Sequence, residues 1–217
     1  MEEEIKEKIV EFSQKYPPEQ LTKGQIIVRA GDMPKGIHFL EKGFIRQYVL
    51  SNDGEEMTLN IFRPVAFFPI PYALDIYTPN YFFEAMEESQ VRIAPKEDTL
   101  LFLKNNPDVL LDLLKRVFVG LEGILVRMEH LMSGEAHHKL IAILILSAKR
   151  FGQESPNGIA IDVKLTHKDL ASQAGLSRET VSREMARLKG KGIVDYTSSS
   201  ILIKNLEDLE RIIRKSL

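Results

Sequence analysis

The stretch Leu165-Thr-His-Lys-Asp-Leu-Ala-Ser-Gln-Ala-Gly-Leu-Ser-Arg-Glu-Thr-Val-Ser-Arg-Glu-Met-Ala-Arg-Leu188 decides the fold. Thr166 stands where a helix needs an N-cap, and Asp169 is placed to complete the capping bonds and face the positive end of the helix dipole. Ala171 is small where a second helix must cross closely. Gly175, four residues on, supplies the left-handed backbone of a tight turn. Ser177 caps the next helix, in which Val181, Met185 and Leu188 form one apolar stripe at i, i+4 and i+7. Two capped helices with an Ala–Gly–Val spacing of four then six predict a helix-turn-helix.

The outward face of the second helix carries Arg178, Glu179, Ser182 and Arg183 near its N-terminus. That end of a recognition helix meets the bases. An arginine fork matches guanine O6 and N7, and a glutamate accepts from cytosine N4. These four are the candidate base readers. Thr166, His167, Ser177, Arg187, Lys189 and Lys191 are the candidate phosphate contacts around them. The plainer alternative is a solvated charged face, with Glu179 and Arg183 paired one turn apart.

Downstream, Ile193–Tyr196 and Ile201–Ile203 flank the polar Thr197-Ser-Ser-Ser200 and read as a β-hairpin, which makes the unit a winged helix-turn-helix. Asn205–Arg214 closes as a helix. Upstream, an apolar helix is expected over about 135–151, ended by Phe151-Gly152, with 152–158 as a loop.

Leu110, Leu114, Val117, Leu121, Ile124, Met128 and Leu131 are spaced 4-3-4-3-4-3, an a/d seam over three heptads. Leu113, Phe118, Leu125 and Met132 flank it. One helix over about 107–132 follows, ended by Ser133-Gly134, with one face for its own domain and the seam for a second copy. A helix buried within a monomer is the alternative; the unbroken heptad favours a homodimer.

Ahead of this lies a helix over 2–15, ended at Pro17-Pro18. Short β-rich runs follow at Gln25–Arg29, Ile37–Leu40, Phe44–Leu50 and Glu56–Phe62, separated by turns such as Asn52-Asp53-Gly54. Strands at this spacing suggest a small antiparallel barrel or sandwich.

The 217 residues bury a real core as one or two domains. Residues 1–134 carry 15 Lys/Arg against 21 Asp/Glu; residues 135–217 carry 14 against 10. The basic back half suits a polyanion. With no cysteine, disulfides, thiolate zinc sites, iron–sulfur clusters and cysteine nucleophiles are excluded. No 18-residue apolar run spans a membrane, and the acidic Met1-Glu-Glu-Glu-Ile5 is unlike a signal peptide, so a cytoplasmic protein with no membrane partner is expected.

Over nearly its whole length the chain resembles the Crp/Fnr superfamily of bacterial regulators. The resemblance rests on Lys23-Gly-Gln25, Ala30-Gly-Asp32, Ile37-His-Phe-Leu-Glu-Lys-Gly43, Asp53-Gly-Glu-Glu56 and Ser177-Arg-Glu-Thr-Val-Ser-Arg183. It implies an α+β fold in three parts. These are a β-roll resembling a cyclic-nucleotide-binding domain (a double-stranded β-helix) over 1–106, a dimerisation helix over 107–133 and a winged-helix DNA-binding domain over 134–217. It implies double-stranded DNA as partner, with Arg178, Glu179 and Arg183 reading a TGTGA-like half-site, or a TTGA-like one because Ser182 resembles the fumarate–nitrate type. RNA polymerase is a further implied partner, with the 152–158 loop a candidate contact by position alone.

The chain departs from that pattern where cyclic-nucleotide binders hold the phosphate. No glycine occurs between Gly54 and Gly120; Arg63-Pro-Val-Ala-Phe-Phe-Pro-Ile-Pro71 replaces the Gly-Glu segment, and no Arg-Ser/Thr-Ala follows. Without that cradle, control by cyclic AMP is not expected. Phe62, Phe67, Phe68, Tyr72, Tyr77 and Tyr81 instead crowd the segment. They read as an apolar pocket for an unidentified effector or, more plainly, as core filling where the glycines are missing.

No cofactor or metal is expected, and no catalytic residue. A haem version needs an axial histidine, and His38 alone lies in the β-roll, at a position that reads as structural. His137 and His138 adjoin on a helix and do not face one metal. A β-helix metalloenzyme needs two or three histidines and a carboxylate converging in the barrel, which this sequence does not supply. A nucleotide-sensing module serving another protein is a third reading; the intact caps and arginine face argue against it.

Overall fold

The computed structural model describes residues 1–76, 80–132, 135–197 and 200–214, with backbone alone at 130–132 and 214. The chain divides into two compact units, Met1–Val119 and Gly120–Leu217.

The first unit runs α1 (Glu3–Ser13), β1 (Pro18–Leu21), β2 (Ile26–Val28), β3 (Ile37–Lys42), β4 (Ile45–Leu50), β5 (Glu56–Phe62), β6 (Ala66–Phe68), α2 (Ile70–Ala73), β7 (Phe82–Ala85), β8 (Ser89–Ala94), α3 (Lys96–Asn105) and the start of α4 (Pro107–Met132). The strands form two antiparallel sheets, ordered β1-β8-β3-β6 and β2-β7-β4-β5. Alternation along each strand splits its side chains between two cores. Leu40 and Phe68 join Leu21, Val28, Ile45, Phe83, Ala85 and Val91, drawn from both sheets. Their neighbours Phe39 and Phe67 point the other way, against Ile9 and Phe12 of α1, Leu103 of α3 and Val109 of α4. The first sheet is thus covered on both faces, which is why β3 is buried at four consecutive residues.

This geometry separates the five candidate pocket aromatics among the described residues. Phe68, Phe62 and Tyr81 belong to or pack on the core drawn from both sheets, while Phe67 and Tyr72 belong to or pack on the core under the helices. Phe68 stacks on Phe83 with ring centres 5.3 Å apart. These five do not converge on one pocket, and Tyr77 lies outside the described residues.

Several elements were not read from the sequence: β1, β6 to β8, α2, α3 and the two strands that begin at Gly152 and Gly158. The edge strand β1 begins with a proline, Pro18, which gives no apolar run and is tolerated at the first residue of an edge strand. The segment expected as a loop at 152–158 instead folds into β9 (Gly152–Ser155) and the start of β10 (Gly158–Ile161). All four residues of β9 are exposed, so it carries no hydrophobic signal; its backbone bonds to β10 define it.

α4 spans the expected residues. Val109 is buried and Asp112, Leu113, Arg116, Gly120, Gly123, Val126 and Arg127 are part-covered along one side. The seam residues Leu110, Leu114, Val117, Leu121, Ile124 and Met128 are all about half exposed. Leu131 is helical, its side chain outside the description, as are Ser133 and Gly134. Phe118 and Leu125 are as open as the seam, so the bare apolar stripe is wider than a and d alone.

His38 sits between the sheets at 3% exposure, its ring stacked on Phe68 with centres 5.2 Å apart and its Nδ1 without a hydrogen-bond partner. Burial pushes its pKa down to about 4, against a bond to the Phe68 backbone that opposes the shift. The unfolded chain therefore binds the extra proton between its ordinary value of 6.5 and about 4. Stability is complete above that window and falls as pH drops through it. At 1.36 kcal/mol per pKa unit the loss from this residue is roughly 3 kcal/mol. His38→Phe keeps the stack and is expected to lose this part of the slope, read from denaturant melts of both proteins between neutral pH and pH 4.

Candidate nucleic-acid interface

The second unit contains the rest of α4, then α5 (Ala136–Phe151), β9, β10, α6 (His167–Ala174), α7 (Arg178–Gly190), β11 (Val194–Tyr196), β12 (Ile201–Ile203) and α8 (Leu206–Arg214). Its sheet is ordered β11-β12-β10-β9. α5 is apolar nearly all round, and Leu140, Ile141, Ala142, Ile143 and Leu144 are buried. α6, α7 and α8 pack around it.

The reading head is built as the local chemistry dictates. Thr166 caps α6 in a reciprocal box: its hydroxyl accepts from the Asp169 amide at 3.2 Å, and its own amide donates to the Asp169 carboxylate at 2.8 Å. Gly175 ends the helix at φ 61°, and its N–H returns to the Ala171 carbonyl. Ser177 then caps α7, its Oγ accepting from the Thr180 amide at 3.1 Å. Val181, Met185 and Leu188 are fully buried.

The other side of α7 faces water. Arg178, Glu179, Ser182 and Arg183 are all exposed, as are Arg187, Lys189 and Lys191. The four candidate base readers share the N-terminal half of that face.

The candidate phosphate contacts differ among themselves. The hydroxyls of Thr166 and Ser177 are engaged in the caps, donating onward to Asp169 and Thr180. What these two positions offer an anion is the positive end of a helix. Lys189 is paired within its own unit: Nζ lies 2.7 Å from Asp195 Oδ1 and 5.0 Å from the Tyr196 ring centre. That contact raises the lysine pKa and lowers the aspartate's. Its charge is compensated within the wing before any ligand arrives. Arg187 lies 3.4 Å from Glu184. Lys191 is exposed just past the helix.

β11 and β12 form the expected wing, with Ser198 and Ser199 of its tip outside the described residues. Between the wing and the starts of α6 and α7 lies an open cleft of about 530 Å³. His167, Lys168 and Arg178 place positive or ionisable groups on it, and Thr166, Thr197 and Tyr196 add polar tips. His167 meets Tyr196 edge-on at 5.3 Å. Burial and then the neighbouring Arg178 hold its pKa below the usual histidine value.

Two contributors escaped the sequence reading. Asp195 pairs with Lys189, and Glu184 lies on the buried side of α7 at 9% exposure. Glu184 follows Arg183 in a charged run, and only its helical angle, beside Val181 and Met185, marks it as inward.

Residues 18–106 match the cyclic nucleotide-binding domain model, and residues 138–212 match the Crp-like helix-turn-helix domain model. The chain is 28% identical over 201 residues to the global nitrogen regulator of Synechocystis sp., covering 89% of this chain and 88% of that one. It is 26% identical over 196 residues to the anaerobic regulatory protein of Bacillus subtilis, covering 88% and 81%. Among solved structures, a CooA mutant from Carboxydothermus hydrogenoformans superposes with a TM-score of 0.76 at 22% identity, over 92% of this chain and 88% of that one, which shows a shared fold. With both domain types on one chain in this order, and named regulators aligning along nearly all of it, the protein belongs to the Crp/Fnr superfamily of DNA-binding transcription regulators.

Proposed function

We propose that the chain acts as a cytoplasmic homodimer that reads a palindrome of TGTGA- or TTGA-like half-sites one helical turn apart. The observation that carries this reading is the division of α7: Val181, Met185 and Leu188 are fully buried while Arg178, Glu179, Ser182 and Arg183 face water. Arg178 and Arg183 offer forks to guanine, and Glu179 offers an acceptor to cytosine N4. Lys191, Arg187 and the capped starts of α6 and α7 serve the phosphates.

The dimer reading is supported by the open stripe on α4, which a second copy of the same helix would cover. Two copies related by a two-fold axis present two reading helices, the symmetry of a palindrome. RNA polymerase belongs to the same reading as a partner, with the exposed β9 edge as the candidate contact by position.

The β-roll is not a cyclic AMP receptor in this proposal. The segment that would hold the phosphate is occupied otherwise. Val65 takes a left-handed backbone at φ 67° without being glycine, its N–H bonded to Leu40 and its carbonyl to Arg116. Phe67 and Phe68 follow as buried strand residues. Arg46, a buried cation of the roll, is held by Glu56 and Glu84 at 2.8 Å each.

Selection from random duplex DNA with the purified protein and no added effector is expected to enrich such a palindrome. Arg183→Ala is expected to lose that preference while sedimentation still reports the dimer; full discrimination by the variant sinks the base-reading assignment. Lys191→Ala is expected to weaken operator and random DNA alike and to reduce the log–log salt slope by about 0.9, the value for one phosphate contact. Lys189→Ala, whose charge Asp195 already offsets, is expected to move the slope by less, and binding isotherms over a salt series separate the two.

A further inference from the structure

Glu184 is an acidic residue on the buried side of the recognition helix, and its contacts are specific. Oε2 lies 3.1 Å from Nδ1 of His137, in the first turn of α5. The same oxygen lies 3.4 Å from Nη1 of Arg187, and Oε1 lies 3.8 Å from Nε of Arg183. Both partners of the inner bond are largely covered, with side-chain exposures of 13% for His137 and 12% for Glu184. The two arginines are open to water, at 72% for Arg183 and 53% for Arg187. One carboxylate therefore bonds a covered group inside the unit and lies within ion-pair reach of two guanidinium groups on the outward face of α7.

We propose that Glu184 is a positioning residue for sequence reading: clamped by His137 of α5, it fixes the orientation from which Arg183 and Arg187 address DNA. This rests on the reading of Arg183 as a base reader.

The physical argument starts from burial. A carboxylate at this depth is held there only if it is hydrogen-bonded or paired. Here the Nδ1–H of a neutral imidazole donates from beneath. Burial, and then the nearby Arg187, keep the His137 pKa below its ordinary value, which favours the neutral ring as donor to the carboxylate. The carboxylate charge acts on long side chains that would otherwise sample many rotamers, at up to about 2 kcal/mol of side-chain entropy each. An arginine restrained before it meets the base loses less freedom on binding, and bidentate recognition of guanine needs one orientation of the fork. The restraint is anchored on a second helix, so the reading face is set by α5 as well as by α7.

A carboxylate in this place also opposes phosphate binding. It repels the DNA backbone while steering the base reader, so it favours discrimination over raw affinity. That separates a positioning role from a merely structural one.

The test compares wild type and Glu184→Gln on an enriched operator and on random duplex, with a thermal melt of each protein. The expected result is a drop of about tenfold in the ratio of specific to non-specific affinity, on the order of one lost charge-assisted contact. Non-specific affinity stays equal or rises. An unchanged ratio, or both affinities falling in step, overturns the proposal. If Glu184→Gln does not fold, His137→Phe keeps a ring in place without the hydrogen bond, and its ratio decides by the same criterion. A wild type that shows no preference for any sequence overturns instead the parent reading of Arg183, and this inference with it.

Discussion

The reading face rests on one packing constraint: α7 must bury Val181, Met185 and Leu188 against the rest of its unit. A helix of 3.6 residues per turn that buries this stripe turns Arg178, Glu179, Ser182 and Arg183 to the opposite side. The approach of α6 is set by the left-handed backbone at Gly175, and both helix starts are closed by their own side chains at Thr166 and Ser177. Loss of the stripe would leave the arginines with no defined direction. Their chemistry matters only because the apolar side of the same helix is immobile.

A second consequence concerns charge. The basic residues of the last 83 are not all uncompensated on the outward face of α7. Lys189 is compensated by Asp195, and Arg187 leans on Glu184. Counting lysines and arginines along α7 overstates the charge it offers to phosphates.

The β-roll follows a different logic. Its first sheet is covered on both sides, by the other sheet and by α1, α3 and α4, so adjacent residues such as Phe67 and Phe68 serve different cores. The family model describes the fold of residues 18–106, and Phe67 and Phe68 within it are buried in two different cores.

The local grammar of this protein was legible in the sequence. Caps, the Gly175 turn, the heptad of α4 and the strands from β2 to β5 each depend on residues close together in the chain, and short-range sterics and periodicity suffice to read them. The resemblance added the β-roll as a whole. What tertiary structure decided were contacts between distant segments. β9 exists because β10 offers it hydrogen bonds, though its own residues carry no apolar pattern. The aromatics of 62–81 separate into two cores because strand alternation places neighbours on opposite faces of a covered sheet. Lys189 found Asp195 across the start of the wing, and Glu184 found His137, 47 residues earlier in the chain, on a helix whose position no local pattern encodes. Periodicity tells which way a side chain points; only the assembled fold determines what it meets there.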